Sequence, residues 1–406
     1  MGHSERKHSV LSPSGAHRWL ACTPSAMLEL QFPDTTSEAA EEGTLAHELA
    51  ELKVRNYCQT VEFGKRKLTA AVNKLKKNPL WQDEMDGYTD EYLDYIKSVA
   101  VAMKYTPSAI IEARVSLAAY VPHLPDEDEA SGVADCILIG GGTMHVIDFK
   151  YGKSPDGRVE AEGNPQLGLY ALGAYERYKI LYPIEEVVLH IVQPRLPDGI
   201  SSWGTSIKEL LAWGEYVRER ASLAIKGEGD FRPGDKTCRY CRARARCRAR
   251  AEKNVELAFS QDYGKPPALI SNEEIGRYLT QGTDLQKWLS DLQDAALAEC
   301  LAGKEVPGWK AVEGRGSRDW TDMDAAFSVL KSKGIPEEIL WERKPLSLAQ
   351  VEKAIGKKDF ADFVGSMVVK KPGKPALVVE ADKRPAITNK ITAEEAFGNK
   401  EENKNE

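Results

Sequence analysis

The stretch Ser131–Lys150, SGVADCILIGGGTMHVIDFK, constrains the fold more than any other part of the 406-residue chain. Val133 to Ile139 is rich in β-branched and apolar residues, Gly140, Gly141 and Gly142 break the run, and Thr143 to Lys150 resumes an alternating pattern. This is the signature of two strands joined by a glycine turn. Side chains on a strand point to opposite faces with a period of two. Asp148 and Lys150 therefore project from one face, and Asp135 on the partner strand reaches that face if the register allows. Two carboxylates and an ammonium make a poor core. They make a good holder for a hard divalent cation and a polarised water.

A chain of this length is expected to form one large decorated domain or two domains. Hydrophobic residues make up 42% and charged residues 29%, as in ordinary globular proteins. No run reaches the roughly 18 apolar residues of a membrane helix. The opening MGHSERKHSVLSPSG lacks the apolar centre of a signal peptide. The expectation is a cytoplasmic protein with no membrane partner. A formal net charge of −7 excludes a globally basic nucleic-acid binder, so any such surface is local. Seven cysteines in a reducing compartment point to metal or core positions before disulfides.

Residues 13–30 read as a helical entry segment containing Cys22. Leu45, Leu49 and Leu52 give an amphipathic helix with Thr44 near its start, which places His47 in the first turns. Residues 61–80 are basic and read as a solvated helix or loop. Tyr88, Tyr92, Ile96 and Val99 form a helical stripe expected to pack on a sheet. Ser108 to Leu117 alternates, with Ala109, Ile111, Ala113, Val115 and Leu117 on one face. Glu112, on the other, either joins the carboxylates or pairs with a neighbour such as Arg114. The acidic run at 126–129 reads as a solvated loop. A helix opens near Pro165, and Gln166 and Tyr170 share its face. Residues 186–193 read as a strand and 206–225 as a helix. Alternating strands and helices predict an α/β core with a mixed central sheet flanked by helices.

Cys238, Cys241 and Cys247 are interleaved with Arg239, Arg242, Arg244, Arg246, Arg248 and Arg250. Three clustered thiols suggest an Fe–S or zinc site with a fourth ligand from elsewhere; unliganded cysteines are the third reading. Cys58, Cys136 and Cys300 sit in apolar patterns expected in the core. Beyond residue 255 the pattern is mainly helical. A long helix is expected over 272–303 with a stripe of Leu279, Leu285, Leu289, Leu292 and Leu297, a short strand within 309–320, and short helices at 324–333 and 347–355. This divides the chain into 1–255, a helical 256–370 and a largely flexible 371–406.

Five short motifs occur in one order: G-T-x-x-H at 43–47, Glu112, G-V-A-D at 132–135, D-F-K at 148–150 and Q-x-x-x-Y at 166–170. In this order the chain resembles the RecB-type branch of the PD-(D/E)XK nuclease superfamily. Cys22 upstream and Cys238, Cys241 and Cys247 downstream are similar to those of its iron–sulfur variants, among them the AddB helicase–nuclease subunit and the nucleases of CRISPR spacer acquisition. With PGKPALVVEADKRPA at 372–386, the whole chain is most similar to a phage- and prophage-encoded family of RecB-like proteins. The resemblance implies a PD-(D/E)XK core in which Asp135, Asp148, the Phe149 backbone carbonyl and His47 bind Mg²⁺ or Mn²⁺. It makes Lys150 the residue that orients the attacking water, with Gln166 and Tyr170 supporting the site. Glu112 matches an upstream glutamate whose position varies in the superfamily. Cys22, Cys238, Cys241 and Cys247 would hold a [4Fe–4S] cluster, with zinc as the alternative, and staple the two ends of the domain together.

Phosphodiester hydrolysis needs a cation on oxygen ligands and a fixed positive charge near water and phosphate. His47 at a helix N-terminal end would stay neutral and able to bind metal. Arg239, Arg242, Arg244 and Arg246 would give the acidic chain its local stripe for DNA. The expected activity is a DNA exonuclease or end-processing nuclease in phage or prophage replication or recombination. The alternatives are a nuclease on RNA or branched DNA, and a non-cleaving DNA-binding or assembly subunit. No G-x-x-x-x-G-K-[ST] motif occurs, so unwinding would come from a helicase partner; a single-strand-binding or recombination protein is a further expected partner.

Overall fold

The computed structural model describes residues 9–34, 37–123, 130–259, 271–312, 322–333 and 348–368, with residues 336 and 340. Short helices α1 (Ala16–Trp19) and α2 (Ser25–Glu29) lead to α3 (Glu38–Cys58), α4 (Lys65–Leu75) and α5 (Glu84–Ala102). Strands β1 (Ser108–Ser116), β2 (Ser131–Gly140) and β3 (Thr143–Phe149) follow as an antiparallel meander. Gly141 and Gly142 turn the hairpin at φ 61° and 86°, a region glycine enters without steric cost. Helix α6 (Pro165–Tyr178) then crosses over to β4 (Glu186–Val192), which pairs parallel with β3. Strand β5 (Ile200–Ser206) closes the sheet antiparallel to β4, and α7 (Ile207–Ala224) follows. The result is a mixed five-stranded sheet in the order β1-β2-β3-β4-β5.

Helices cover both faces. On one, Leu45 and Leu49 of α3 and Tyr92 and Ile96 of α5 are buried with Cys136, Ile147 and Phe149. On the other, Trp19 of α1, Leu167 of α6 and Val217 of α7 are buried with Ile137, Val146 and Ile191. Helix α4 buries no side chain, in keeping with a solvated basic segment.

The single apolar face predicted for Ala109 through Leu117 does not exist. Ala109 and Ile111 pack in the α3–α5 layer, whereas Ala113, Val115 and Leu117 pack in the α6–α7 layer. The exchange occurs at Glu112, whose φ of 50° is left-handed in mid-strand. Such a conformation costs a non-glycine residue on the order of 1–3 kcal/mol. Pairs Ile111–Cys136 and Ala113–Ala134 flank it, so Glu112 stands opposite Asp135. Strand β2 changes face at the same row, with Ala134 in one layer and Cys136 in the other. A one-residue shift of facing is what moves a strand's side chains from one layer to the other.

Between α5 and the sheet lies a buried polar chain. The Tyr95 hydroxyl is 2.9 Å from His190 Nδ1, and His190 Nε2 is 2.9 Å from His145 Nδ1. Burial, with the neighbouring His145, pushes His190 down to about 3. The unfolded chain takes up that proton below the ordinary value of about 6.5 while the fold refuses it. Stability is therefore expected to fall as pH drops through 6.5 toward 3, by up to about 1.4 kcal/mol per pH unit. Urea unfolding between pH 7 and 4 checks this: His190→Gln should flatten the slope, and an equal slope in both proteins would refute it.

Helices α8 (Asp235–Cys238), α9 (Arg248–Phe259) and α10 (Asn272–Leu301) complete the first compact unit, which runs to Val312. The reason is ionic. Arg250, itself buried, pairs with Asp284 at 3.0 Å and Asp291 at 2.5 Å, and Lys287 with Asp235 at 2.6 Å. The face of α10 that packs is thus Asp284 and Trp288, while Leu279, Leu289 and Leu297 of the expected apolar stripe are about half exposed. Cys300 is only half-buried, not a core residue. The second unit, from Glu313 on, contains α11 (Met323–Ser332), α12 (Leu348–Ile355) and α13 (Lys357–Val364). Most of the strand expected within 309–320, and the tail expected beyond 370, lie outside the described residues.

Candidate active site

The Asn164 side chain accepts the backbone N–H groups of Gln166 and Leu167, and Pro165 fills the first position of α6. This cap fixes Gln166 in the first turn, with Tyr170 one turn later on the same face. Beneath them β3 ends at Phe149. Lys150 Nζ reaches Asp148 Oδ2 at 3.0 Å and donates to Gln166 Oε1 at 3.0 Å. Gln166 Nε2 in turn donates to the Tyr170 hydroxyl at 2.9 Å. On the α3 side, Asp135 Oδ2 accepts the Phe149 amide at 2.8 Å and lies 3.5 Å from His47 Nδ1. The Phe149 ring packs edge-on to His47, with centroids 5.2 Å apart, and against Tyr92. Tyr92 and Glu112 line the same small cleft as His47, Asp135 and Phe149. Nothing in the sequence sets Tyr92 apart from its packing stripe.

His47 is not near a helix start. Ser37 caps α3, so the imidazole sits in mid-helix, away from the end charges. Burial works against its protonation, but Asp135 outweighs burial and holds His47 above its ordinary value. Burial raises Asp135, and His47 with the Phe149 amide more than reverse this, leaving the carboxyl below its usual range. Burial also raises Asp148, where Lys150 opposes and Asp135 adds to the rise, and Asp148 ends above the usual range. Burial disfavours the Lys150 ammonium, yet Asp148 keeps it above its ordinary value. The two carboxyls are therefore pushed apart in acidity by their surroundings.

Cys22, Cys238, Cys241 and Cys247 line one small cavity. Around it, Arg18 pairs with Glu29 at 2.7 Å, and Glu29 accepts the Arg242 amide at 2.7 Å. The Gly234 amide donates to Cys238 Sγ at 3.4 Å. Burial pushes the Cys241 thiol up to about 12 and raises Cys238 as well. The arginines expected to contact DNA also have partners within the protein, while the side chains of Arg244 and Arg246 stay 42% and 56% exposed. Arg244 pairs with Asp291 at 2.8 Å, Arg246 with Glu299, and Arg242 reaches the Phe32 carbonyl at 3.4 Å. Arg239 lies over the Tyr240 ring at 5.5 Å. The acids that neutralise Arg244 and Arg246 lie on α10, distant in sequence.

Among the described residues, no three His, Cys, Asp or Glu side chains converge as placed into a group that could hold a metal ion. The donor chemistry nevertheless suits one at each place. Asp148 Oδ2 is buried and, among the described residues, accepts no well-angled hydrogen bond, with the Lys150 ammonium 3.0 Å away. A buried carboxylate oxygen with a second carboxylate and an imidazole nearby suits a hard divalent cation. Four soft thiols around one cavity, one already taking a backbone N–H, suit iron–sulfur or zinc.

The chain belongs to the family described as "Protein of unknown function (DUF2800)", which matches residues 8–385. The solved structure titled "Crystal structure of SSO0001" aligns with 50% of this chain and 85% of its own at 18% identity. Its TM-score of 0.25 is too low for the likeness to bear on fold or activity. Among the described residues, no helix is long and apolar enough to cross a membrane.

Proposed function

We propose that this chain is a divalent-metal-dependent DNA nuclease with a RecB-type PD-(D/E)XK core, an exonuclease or end-processing enzyme of phage or prophage replication or recombination. The observation that carries the reading is the Lys150 ammonium, which bridges Asp148 of β3 to Gln166 of α6 while Asp135 and His47 stand across the sheet end. The order of helices, meander, crossover helix and parallel strand supports it, as do five separated motifs meeting at one place.

Asp135, Asp148, His47 and the Phe149 carbonyl would hold Mg²⁺ or Mn²⁺. When bound, such an ion neutralises charge on the phosphate and acidifies a water. Lys150, held by Asp148 and Gln166, orients that water and opposes the charge that builds on the phosphate oxygens. The water oxygen gives up a proton to solvent as it bonds to phosphorus, the ester P–O bond breaks, and the leaving oxygen takes up a proton, so one water is consumed for each bond cut. Tyr170, its acidity suppressed by burial, stays a neutral hydroxyl and fixes the Gln166 amide. The cysteine site would pin the N-terminal segment to the end of the domain, as a [4Fe–4S] cluster or zinc.

The test is degradation of end-labelled linear DNA, single- and double-stranded, with Mg²⁺ or Mn²⁺, using protein purified without oxygen. Wild type is expected to degrade the label and Asp148→Asn to leave it intact. A wild type that binds every DNA and cuts none would overturn the hydrolase reading and leave a non-cleaving binding subunit.

A further inference from the structure

We infer that the cleft between the far end of α6 and the outer edge of β1 binds the phosphodiester backbone of a nucleic-acid strand leading away from the candidate active site. The cleft has a volume of about 780 Å³ and is lined by Arg114, Ser116, Ser131, Gly173, Glu176 and Arg177. The inference rests on the nuclease reading for its substrate class. Its residues belong to none of the five motifs.

Helix α6 spans from the site to the cleft and fixes their separation, its intervening residues Tyr170 and Gly173 being buried against the sheet. Gln166, Tyr170, Gly173 and Arg177 stand at i, i+4, i+7 and i+11 on α6, the spacing of one face. The first two hold the Lys150 end and the last two line the cleft. The helix reaches β1 closely: a Cβ on Gly173 would stand 2.7 Å from the Ser116 carbonyl oxygen and 2.9 Å from Val115 Cβ. A glycine is therefore required where the helix meets the cleft. Along the helix, Gln166 and Arg177 are about 16 Å apart at 1.5 Å per residue. That is roughly five phosphates of a stacked strand at 3.4 Å each.

The charge suits a polyanion. Glu176 is the one carboxylate among the described lining residues, and it is already engaged by Lys179 Nζ and the Tyr120 hydroxyl. Two guanidiniums remain. Arg177 Nη1 donates to the Arg114 carbonyl, which holds it at the edge of β1, and its guanidinium lies 5.4 Å from the Tyr178 ring centroid. Arg114 is exposed, and no ion pair joins it to a carboxylate among the described residues. β1 is an edge strand, so nothing in the sheet lies outside it. Among the described lining residues two guanidiniums thus face one carboxylate that already has partners, a local positive surface of the kind a chain of net charge −7 needs for phosphate.

The test measures binding of a labelled strand of about 20 nucleotides, several times the roughly five phosphates of that span. Full-length protein carrying Asp148→Asn is used so that the strand stays whole. Adding Arg114→Glu should weaken binding severalfold and reduce the slope of log affinity against log salt by about 0.7–0.9 for each phosphate no longer neutralised. Arg114→Lys should restore most of both, and Lys208→Glu at the opposite edge of the sheet should change neither slope nor melting temperature. A nucleoside monophosphate should compete only at far higher concentration than the strand. Unchanged affinity and slope in Arg114→Glu would overturn the inference, as would equal binding of the mononucleotide. If wild type cuts no DNA but Arg114 still sets the slope, the nuclease reading falls and the cleft stands. If wild type cuts and Arg114 is silent, the reverse holds.

Discussion

Lys150→Ala should fold, bind DNA and cut it about 10²–10³-fold more slowly, the usual loss when one preorganised group facing transition-state charge is removed. The ammonium is held from two sides, by Asp148 at 3.0 Å and Gln166 at 3.0 Å. It therefore needs little reorganisation as charge develops on the phosphate. Its removal also leaves the Asp148 carboxylate, only 3% exposed, without the ammonium 3.0 Å away. Burial already raises that carboxyl, so in the variant it should be protonated more readily and hold a cation less firmly. Single-turnover rates at saturating Mn²⁺ should stay low, because the lost charge acted in the transition state. The Mn²⁺ concentration for half-maximal rate should also rise. Gln166→Ala should reproduce a smaller part of the first effect, since it releases one of the two supports. A Lys150→Ala rate within threefold of wild type would remove Lys150 from the chemistry.

What the sequence reveals about this site, and what it hides, follows from the range of the forces involved. The β2–β3 hairpin is legible because alternation and a glycine turn are local. Gln166 and Tyr170 are legible as one face because helical spacing is local too. The left-handed backbone of Glu112 is not, because tertiary packing selects it: the apolar residues before and after it fit different layers. His47 is misplaced by its local pattern because the apolar periodicity begins at Leu45, whereas Ser37 starts the helix over a polar first turn. The arginines beside the cysteines look solvent-facing in the sequence because their acids, Asp284, Asp291 and Glu299, belong to a helix whose leucines dominate its pattern. Strand and turn chemistry is written in neighbours; ion pairs across more than thirty residues are not.

On the proposed reading of the cysteine site, Cys241→Ser should abolish metal binding and lower the melting temperature of the first unit by on the order of 10 °C. The cavity is walled by one cysteine from the N-terminal segment and three from the region between α7 and α9. A ligated centre there closes a very long loop, worth about 4–5 kcal/mol on the chain-entropy estimate. At roughly 2–4 °C per kcal/mol for a domain of this scale, that gives the expected shift. Without a centre the same substitution exchanges one buried thiol for a hydroxyl, a change of about 1–2 kcal/mol, and no metal is lost. Burial pushes Cys241 up to about 12, so a thiolate there exists at neutral pH only if a cation stabilises it. Arg18, Glu29 and the Arg242 amide bind the two segments in parallel, which should keep the variant folded at low temperature so that the melt can be measured. Metal analysis separates the centres: iron with a brown colour for a cluster, zinc without colour. Protein purified without oxygen that carries neither metal, and whose Cys241→Ser variant melts like wild type, would reduce the four cysteines to packing. The join between the ends of the domain would then rest on direct contacts, among them Glu29 with the Arg242 amide and Arg220 with the Leu20 and Ala21 carbonyls.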